Sequence, residues 1–451
     1  MDWLIGDKPS LPVNSEDVHF IKTPKEYYAT LLERIKTSKK RVIFSSLYLG
    51  TGELEIDLVN TLKEALETNP DLKICILLDY LRGTRPSPEK SSATLLSSIA
   101  DKAKVFFYHT PDLRGIKKNY LPAKFNEIVG LQHMKFYIFD DSVIISGANL
   151  SDQYFLNRQD RYVLIEDNPK LVDFLENVFN TVAACSFQLK ENGDLDLNDN
   201  CIHPFEGNKA DFCEHVSTQV RSILSTLHTE PSESMISPSS TAASDTRIYP
   251  FLQFPPFKIN DEVEILMKLF SHSNNDIDVT VATGYFNLYD DYLDAILKKS
   301  NYPLTFLTAA PDANGFFNGQ GLSGYVPSLY VNTSKYLFDQ AKSHQKHIKI
   351  LEYSRPNWTF HGKGIWIDDE KNGLTATMIG SSNFGYRSVS RDLEAQVMLV
   401  TSNDKLRGQL KEERNALMEF TSLLDSSTFL RRDHFVPFWV KIFARHFRNF
   451  F

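Results

Sequence analysis

The most constraining feature of this chain is a short motif that occurs twice with identical internal spacing. Each copy has a histidine, a lysine two positions later and an aspartate five positions after the lysine: His133, Lys135 and Asp140 in the first copy, and His361, Lys363 and Asp368 in the second. Both copies lie in runs of apolar residues that favour β-strands. The two histidines are 228 positions apart, which is about the length of one domain. The sequence therefore predicts an internal duplication.

The similarity of the two halves continues downstream of the motifs. An apolar stretch leads to the asparagine of Gly147-Ala-Asn149 in the first half and of Gly380-Ser-Ser-Asn383 in the second. Eleven positions beyond each asparagine stands a carboxylate, Asp160 or Glu394, and an alternating strand follows. Between aspartate and asparagine the second copy is six residues longer, and this excess coincides with Asn372-Gly373, a strong hairpin-turn signal. We expect the insertion to lengthen a turn without disturbing the site.

Upstream of each motif, strand and helix patterns alternate. A strand, a helix and a second strand are predicted, in that order, at residues 41–49, 52–68 and 72–79 and at residues 278–286, 288–299 and 303–309. Such alternation is typical of helix-flanked sheets whose strands are mostly parallel. The predicted fold class is α/β, with two pseudo-symmetric domains that are each a mixed sheet flanked by helices, and with one composite active site at their interface.

The composition of the region between the halves predicts a linker. Ser, Thr, Pro and Ala dominate residues 229–247, and large apolar side chains are almost absent there. We therefore predict a first domain at residues 1–228, a flexible linker at 229–247, a second domain at 248–430 and a basic, aromatic segment at 431–451. A length of 451 residues and an apolar content of 42% are sufficient for large cores in both domains.

Composition also argues against several classes of protein. A net charge of −8 is unlike the broad basic surface that nucleic acids require, so no nucleic-acid partner is expected. The four cysteines are scattered, which fits a reducing compartment, and Cys201-x-His203 and Cys213-x-His215 lack the spacing of a familiar zinc site. No run of eighteen apolar residues predicts a membrane span, and no targeting peptide is recognisable at the amino terminus. We expect no metal site.

The residue types of the repeat are suited to phosphoryl transfer. One neutral imidazole can attack a phosphodiester and form a phosphoryl-histidine, and a second imidazole can give a proton to the leaving oxygen. Lys135 and Lys363 lie two positions from the histidines on the same strand face, where their ammonium groups can hold the non-bridging oxygens. The amides of Asn149 and Asn383 can stabilise the charge that grows in the transition state.

The carboxylates of the repeat are predicted to have two different roles. Asp160 and Glu394 are suited to orient an imidazole through its second nitrogen. Asp140 and Asp368 fall on the strand face opposite the lysines, so we expect them to anchor the surrounding structure rather than to touch substrate. Because side chains supply every group that the reaction needs, no metal or other cofactor is required.

These motifs resemble the signature of the phospholipase D superfamily, and the resemblance covers nearly the whole chain. Longer segments resemble the eukaryotic mitochondrial phosphatidylglycerophosphate synthase family; they are Asp79–Arg85, Leu131–Tyr137, Asn157–Arg161, Thr283–Asn287, Asn383–Ser388 and Arg391–Glu394. The departures are Ala148, where many superfamily members have serine, and the longer turn after Asp368. The resemblance implies two phospholipase D-like domains, and it transfers the superfamily's two catalytic triads onto the six motif residues.

The resemblance also implies the substrates and the mechanism. The substrates are CDP-diacylglycerol and glycerol 3-phosphate, and the product leads to phosphatidylglycerol and cardiolipin. His133 would attack the lipid-side phosphorus, and His361 would protonate the departing CMP and later deprotonate the acceptor hydroxyl; the reverse assignment stays open. The implied location is the matrix side of the mitochondrial inner membrane.

Alternative functions remain open at this stage. Water in place of glycerol 3-phosphate would make the same site a phospholipase D-type phosphodiesterase, such as a phospholipase or a nuclease. A different acceptor would give a related phosphatidyltransferase such as phosphatidylserine synthase. An inert lipid-binding protein is a further alternative, although the completeness of both motifs argues against it.

Basic residues outside the motifs are candidates for binding the second phosphate of the acceptor, and ordinary solvated charge is the alternative for each. They are Arg85, Arg114, Lys117, Lys118, Lys124, Arg158 and Arg387.

Two further segments are candidates for contact with the lipid. Residues 435–451 interleave aromatic side chains with Lys441, Arg445 and Arg448, which suits a segment at an anionic membrane surface. A terminal helix packed on the domain is the alternative. The glycine-rich loop at residues 315–324 contains two phenylalanines, and we expect it to cradle substrate or to enter the membrane interface.

Overall fold

The computed structural model describes residues 1–87, 89–115, 118, 126–198, 200–227 and 245–447. Most of the predicted linker, Lys117, Lys124 and the last four residues of the chain therefore lie outside the described residues. The helices are α1 (Asp2–Ile5), α2 (Pro24–Thr37), α3 (Glu53–Thr68), α4 (Tyr80–Gly83), α5 (Ser92–Leu96), α6 (Asp152–Leu156), α7 (Pro169–Ala184), α8 (Lys209–Thr226), α9 (Asp261–Phe270), α10 (Asp290–Lys298), α11 (Val326–Ser343), α12 (Tyr386–Ser390), α13 (Asp404–Met418) and α14 (Phe438–Phe447). Within the described ranges, none of them is long and apolar enough to cross a membrane.

The strands alternate with these helices along the chain. They are β1 (Leu11–Pro12), β2 (Val18–Ile21), β3 (Arg41–Ser45), β4 (Lys73–Asp79), β5 (Pro86–Ser87), β6 (Lys90–Ser91), β7 (Lys104–Tyr108), β8 (Phe136–Phe139), β9 (Ser142–Ser146), β10 (Arg158–Gln159), β11 (Tyr162–Ile165), β12 (Phe187–Leu189), β13 (Leu195–Leu197), β14 (Thr246–Phe254), β15 (Ile259–Asn260), β16 (Asp278–Thr283), β17 (Leu304–Ala309), β18 (Ile348–Tyr353), β19 (Thr359–Phe360), β20 (Gly364–Asp369), β21 (Leu374–Gly380), β22 (Glu394–Thr401) and β23 (Thr421–Leu423). The predicted strand, helix and strand upstream of each motif correspond to β3, α3 and β4 and to β16, α10 and β17.

Two large sheets carry the internal repeat. The strand order is β13-β12-β7-β4-β3-β8-β9-β11-β2 in the first sheet and β23-β18-β17-β16-β20-β21-β22-β14-β1 in the second. The strands from β12 to β2 match those from β23 to β14 one for one, both in order and in relative direction. The two pseudo-symmetric halves predicted from the motifs are therefore confirmed.

The expectation of mostly parallel strands was wrong. Within each large sheet only the pairs around the centre are parallel, namely β3 with β4, β4 with β7, β16 with β17 and β17 with β18. The strands β8 and β20, which begin directly after the motif lysines, continue into β9 and β21 through short turns, and a short turn can join only antiparallel neighbours. Each sheet is accordingly mixed, as the predicted fold class states.

The six-residue insertion of the second copy lies in one of these turns, as expected. It forms a short 3-10 turn at Glu370–Asn372 between β20 and β21. The Asp369 carboxylate accepts the backbone N–H of Asn372 at 3.1 Å, and Gly373 closes the turn with a φ of +63°. That left-handed conformation suits glycine, which explains the Asn-Gly signal in the sequence.

The predicted boundary of the first domain needs a correction at the amino terminus. β1 pairs with β14 and so belongs to the second sheet. Met1, Leu4 and Ile5 are buried in the same apolar cluster as residues of α9 and α10. Apolar side chains at the start of the chain thus complete the core of the second half, and the first half begins after β1.

Three large apolar clusters hold the halves together and cover their outer faces. The central cluster combines side chains of both sheets with residues of α7, α8 and α13. The outer face of the second sheet packs against α9, α10 and α11, and that of the first packs against α2 and α3. β8, β9 and β21 are buried along their entire length, and β20 is buried at every position except Asp368, which explains the apolar sequences of these strands.

Short strand contacts across the interface bring the two motifs together. β10 of the first half runs parallel to β19 of the second, and Gln132 forms the equivalent parallel bridge with Leu393. Consequently, the backbone N–H of His361 donates to the carbonyl of Gln159 at 2.8 Å, and that of His133 donates to the carbonyl of Leu393 at 2.9 Å. Phe360, which precedes His361, is paired with Gln159, which precedes Asp160. Gln132, which precedes His133, is likewise paired with Leu393, which precedes Glu394.

The side chain of Arg161 bonds to the second half at the interface, next to these strands. Its side chain is fully buried and forms two 2.8 Å bonds to the carboxylate of Glu413 in α13. It also donates to the carbonyl of Met378 and the hydroxyl of Thr377, and its guanidinium lies 3.7 Å from the ring centre of Trp366. A buried guanidinium with this number of partners is compensated for its loss of water.

Candidate active site

Each motif histidine is held by a carboxylate from the other half. The Nδ1 atom of His133 lies 2.9 and 3.0 Å from the two carboxylate oxygens of Glu394, and Nδ1 of His361 lies 2.6 Å from the carboxylate of Asp160. Both carboxylates are buried. This crossed arrangement follows from the parallel strand contacts at the interface, and in each ring it uses the Nδ1 atom and not Nε2.

The His133 pair is an ionised carboxylate beside a neutral imidazole. Burial lowers the pKa of His133 to about 4, so the ring is neutral at neutral pH. Burial alone would raise the pKa of Glu394, but the contacts with His133 and the Lys135 charge lower it to about 2. The hydroxyl of Ser388 also donates to Glu394 at 2.8 Å. The ionised Glu394 carboxylate therefore accepts a hydrogen bond from the Nδ1–H group of His133, which places the lone pair of the neutral ring on Nε2.

The His361 pair has a different second contact. Burial raises the pKa of Asp160 to about 7, and burial together with neighbouring cations lowers the pKa of His361 well below its usual value. On the other side of the ring, the hydroxyl of Tyr154 lies 3.1 Å from Nε2, and Nζ of Lys363 lies 3.4 Å from the same atom. The two imidazoles are therefore not equivalent, although their backbones are.

The two motif lysines are buried beside the histidines. Nζ of Lys135 donates to the carbonyl of its own His133 at 2.7 Å. Burial lowers the pKa of Lys363 to about 8, and burial together with the neighbouring Lys363 charge lowers that of Lys135 well below its usual value. Two cations that burial makes unfavourable attract a phosphate group strongly, because its negative oxygens replace the water they have lost.

The asparagines and one glycine complete this region. Asn149 and Asn383 line the same cavity as both imidazoles, and Nδ2 of Asn149 donates to the Tyr154 hydroxyl at 3.2 Å. A Cβ atom at Gly147 would lie 2.7 Å from an Asp160 oxygen and 2.8 Å from Cε of Lys363. The Gly-x-Asn signal thus has a steric reason, since the lysine of the second half passes over the glycine of the first.

Asp140 and Asp368 lie outside the cavity. The Asp140 carboxylate accepts the backbone N–H groups of Lys39 (2.8 Å), Lys40 (2.6 Å) and Arg41 (3.1 Å). Asp368 contacts Arg414 and accepts the hydroxyl of Thr375 at 3.1 Å. These contacts support the anchoring role expected from their strand face, and they place both carboxylates away from the groups that line the cavity.

We expect Asp140→Ala to affect stability more than chemistry. The substitution leaves three backbone N–H groups without their acceptor, so the free energy of unfolding should fall by about 1–2 kcal/mol. Thermal unfolding and the turnover number of the folded variant check this. Asp71→Ala, which removes an exposed carboxylate, is the control. A loss of turnover of a thousandfold at unchanged stability would contradict the anchoring role.

The structure separates the predicted phosphate-binding residues. Arg85, Arg158 and Arg387 line a cavity of about 720 Å³ that also contains both histidines. Arg114 instead donates to the carbonyl of Gly207, and the ammonium group of Lys118 lies 3.2 Å from the ring centre of Phe205. Neither residue lines the cavity, because each contacts a neighbouring part of the first half. Lys117 and Lys124 lie outside the described residues.

Several cavity residues were not predicted from the sequence. Tyr154 contacts His361, the ring of Tyr285 packs edge-on against His361 at 5.3 Å, and Arg82 lines the cavity beside Arg85. For Tyr154 the sequence did contain a signal. When the two halves are aligned, Tyr154 falls opposite Ser388, so the side chain differs in size and chemistry between otherwise matching positions. In the described residues, no cluster of three or more His, Cys, Asp and Glu side chains is arranged to hold a metal ion.

The carboxyl-terminal segment is partly packed and partly exposed. Helix α14 packs on α11 through Val440 and Ala444, so the alternative of a packed terminal helix is correct for one of its faces. Phe435, Phe438 and Ile442 remain 69%, 77% and 55% exposed. Trp439 and Val440 line the cavity that contains the histidines.

Comparison with known proteins gives a consistent picture. A family model described as cardiolipin synthase, PLD-like domain, matches residues 31–183. The chain is 39% identical to the mitochondrial CDP-diacylglycerol–glycerol-3-phosphate 3-phosphatidyltransferase of Gallus gallus over 100% of this chain and 86% of the relative. It is 37% identical to the Homo sapiens protein of the same name over 100% and 85%, and 36% identical to the Saccharomyces pastorianus CDP-diacylglycerol–glycerol-3-phosphate 3-phosphatidyltransferase over 90% and 82%. The crystal structure of phosphatidylserine synthase from Haemophilus influenzae matches the fold with a TM-score of 0.74 at 19% identity, over 98% of this chain and 95% of that one.

Proposed function

This chain belongs to the family of CDP-diacylglycerol–glycerol-3-phosphate 3-phosphatidyltransferases, and we propose that it transfers the phosphatidyl group of CDP-diacylglycerol to glycerol 3-phosphate. The products are phosphatidylglycerophosphate and CMP, which places the reaction in the synthesis of phosphatidylglycerol and cardiolipin. The observation that carries the chemical part of the proposal is the pair of crossed histidine–carboxylate contacts that border one cavity.

In the first step, Nε2 of His133 attacks the lipid-side phosphorus of CDP-diacylglycerol. A P–N bond forms, the bond from phosphorus to the bridging oxygen breaks, and CMP leaves with that electron pair. Lys135, Lys363 and the asparagine amides stabilise the oxygens around phosphorus. His361 gives the proton to CMP, and the negative diphosphate beside the ring favours the protonated imidazole that this step needs.

In the second step, glycerol 3-phosphate takes the place of CMP. His361 accepts the proton of its hydroxyl, the oxygen attacks phosphorus, and the P–N bond to His133 breaks. The environments of the two rings support this assignment of roles. Among the described residues none forms a hydrogen bond with Nε2 of His133, whereas Tyr154 holds Nε2 of His361.

The acceptor's second phosphate has a group of arginines available. Arg85 and Arg82 pair with Glu127, and Arg387 pairs with Asp392 at 3.1 Å. Arg158 lies over the ring of Tyr154 at 4.8 Å. We assign the acceptor phosphate to Arg85, Arg158 and Arg387, because planar guanidinium groups bind phosphate through paired hydrogen bonds and lie on the wall of the reaction cavity.

The substrate requires contact with a membrane. The animal relatives are mitochondrial, and we place this enzyme in the mitochondrion as well. We assign it to the matrix side of the inner membrane, where it would bind an anionic lipid surface peripherally through its carboxyl-terminal segment. Removing residues 435–451 is a poor test of this, since Trp439 and Val440 form part of the cavity wall.

One assay distinguishes the proposed reaction from its alternatives. Purified enzyme is given CDP-diacylglycerol with glycerol 3-phosphate, with serine or with no acceptor, and the lipid products are separated. Phosphatidylglycerophosphate formed only with glycerol 3-phosphate supports the proposal. Phosphatidic acid formed regardless of acceptor would identify a phosphodiesterase, and phosphatidylserine would identify a different transferase.

Tyr154→Phe is expected to lower the turnover number about tenfold, because it removes the hydroxyl that holds Nε2 of His361. The Michaelis constant for CDP-diacylglycerol should change little, and the pH profile of the turnover number should shift with the altered imidazole. Tyr162→Phe is the matched control, because the buried Tyr162 hydroxyl has no hydrogen-bond partner within the described part of the chain. Equal losses in the two variants would assign Tyr154 a packing role only.

A further inference from the structure

The cavity around the histidines has walls of two kinds. One wall is charged and adjoins His133: Asp392 accepts the backbone N–H of Leu131 at 3.0 Å and pairs with Arg387, which also donates to the carbonyl of Glu127. The other wall is apolar and aromatic and adjoins His361. Its members are Phe316, Tyr325, Val326, Leu329, Trp439 and Val440.

The apolar wall extends from the neighbourhood of His361 to helix α14. The ring of Tyr285 contacts His361 at 5.3 Å and Phe316 at 5.5 Å between ring centres. Tyr325 then contacts Trp439 at 4.7 Å, where the glycine-rich loop meets α14. Beyond Trp439, the same helix exposes Phe438 and Ile442. Apolar and aromatic side chains therefore line the cavity from Tyr285, beside the second histidine, to Trp439 of α14.

The outer face of α14, at the end of the apolar wall, exposes more large apolar side chains than is usual for a surface in water. Helix α14 buries Val440 and Ala444 against Leu329 of α11, yet its opposite side presents further large apolar groups. Phe435 precedes the helix and is 69% exposed, and the exposed cation Lys441 lies between Phe438 and Ile442 in sequence. Clustered apolar groups with a nearby cation suit the boundary between headgroups and acyl chains of an anionic membrane.

We propose that the wall formed by the glycine-rich loop, α11 and α14 binds the diacylglycerol part of the donor, and that its acyl chains pass Trp439 and continue into the membrane against Phe435, Phe438 and Ile442. This inference rests on the proposed function, because that function places the lipid-side phosphorus between the histidines. A cavity of about 720 Å³ is in the range of sites that hold one drug-sized ligand. A cytidine diphosphate group joined to two acyl chains, each of which extends about 15 Å in a bilayer leaflet, is much larger than such a ligand. The acyl chains must therefore leave the cavity across its rim. The apolar wall is the most favourable path for them, because apolar chains and apolar side chains are both removed from water there.

The assignment gives each part of the cavity one part of the reactants. The diacylglycerol lies along the apolar wall, and the phosphate and cytidine groups lie toward the charged wall. Trp439 stands at the change from cavity to surface, where an indole ring suits a boundary between apolar and wet surroundings. The enzyme then reaches its substrate without extracting the whole lipid from the membrane.

The test compares donors and surfaces separately. For Trp439→Ala, the ratio of kcat/KM for dioleoyl to dihexanoyl CDP-diacylglycerol, both in detergent, should fall about tenfold relative to the unaltered enzyme, because apolar contact with the longer chains is lost. For Phe438→Ser with Ile442→Ser, sedimentation with vesicles of phosphatidylcholine and cardiolipin should fall about tenfold. Ile56→Ser, which alters a 44% exposed aliphatic side chain on α3, is the matched control and should change neither quantity.

The outcomes separate this inference from the proposed reaction. A parallel loss with both donors in Trp439→Ala would overturn the acyl-chain assignment, and unchanged vesicle binding of the double variant would overturn the membrane face. Thermal unfolding of each variant identifies losses that are due to misfolding. If the unaltered enzyme fails to transfer from either donor to glycerol 3-phosphate, the reaction itself is wrong, and that result is distinct from a change in chain-length preference.

Discussion

Replacing either motif histidine is expected to reduce the turnover number by about 10⁴-fold or more, because each ring makes or breaks a bond in both steps. His133→Ala and His361→Ala remove the rings entirely. His133→Asn and His361→Asn keep an amide that can still donate to the buried carboxylates Glu394 and Asp160, so they limit the loss of folding stability. Steady-state assays with glycerol 3-phosphate and thermal unfolding measure the two effects.

A covalent intermediate distinguishes the roles of the two histidines. Acid-labile lipid phosphate bound to the unaltered enzyme is expected when CDP-diacylglycerol is supplied without acceptor. Peptide mapping should find it on His133, whose Nε2 atom has no hydrogen-bond partner among the described residues. An adduct on His361 would reverse the two roles, and an adduct elsewhere would refute the histidine mechanism.

Removing the negative charge that orients each imidazole is expected to be nearly as costly as removing the ring. Glu394→Gln and Asp160→Asn each preserve shape but present an amide where the Nδ1 proton needs an acceptor. The wrong tautomer is then favoured, and the turnover number should fall by about 10³-fold to 10⁴-fold with little change in the Michaelis constants. Initial rates over a range of both substrates provide the measurement.

A buried carboxylate outside the pairs is the control for this effect. Glu262 is 1% exposed and accepts the hydroxyl of Ser382 at 2.7 Å, and it is not bonded to either imidazole. Glu262→Gln should therefore leave most of the turnover intact. Comparable losses in all three variants would show that the effect comes from disturbing the core and not from the orientation of the histidines.

The internal repeat and most residues of the candidate site could be predicted from the sequence. Two motifs with matching asparagines and carboxylates predicted groups that the structure brings together at one cavity, and their catalytic roles stay a prediction. The same pattern placed Asp140 and Asp368 away from substrate by strand periodicity alone, and their backbone and arginine contacts agree with that position. Local spacing thus predicts what lies on one strand face.

What the sequence left undetermined depends on how the halves dock. The spacing identified Asp160 and Glu394 as orienting groups, but only the contacts of β10 with β19 and of Gln132 with Leu393 assign each one to the histidine of the other half. β1 joined the second sheet because apolar residues at the start of the chain fill that core. Arg114 carries the same charge as Arg85, and its separation from the cavity is a matter of tertiary position.

The crossed pairing of histidines and carboxylates has a consequence for the order of events during protein synthesis. The first half emerges from the ribosome with His133 and Asp160, but these two groups are not partners in the folded enzyme. The partner of each is translated more than two hundred positions later: Glu394 for His133, and His361 for Asp160. Domains generally fold as units, amino-terminal first. Under the proposed mechanism, a growing chain therefore holds no oriented nucleophile until both Glu394 and His361 have been synthesised.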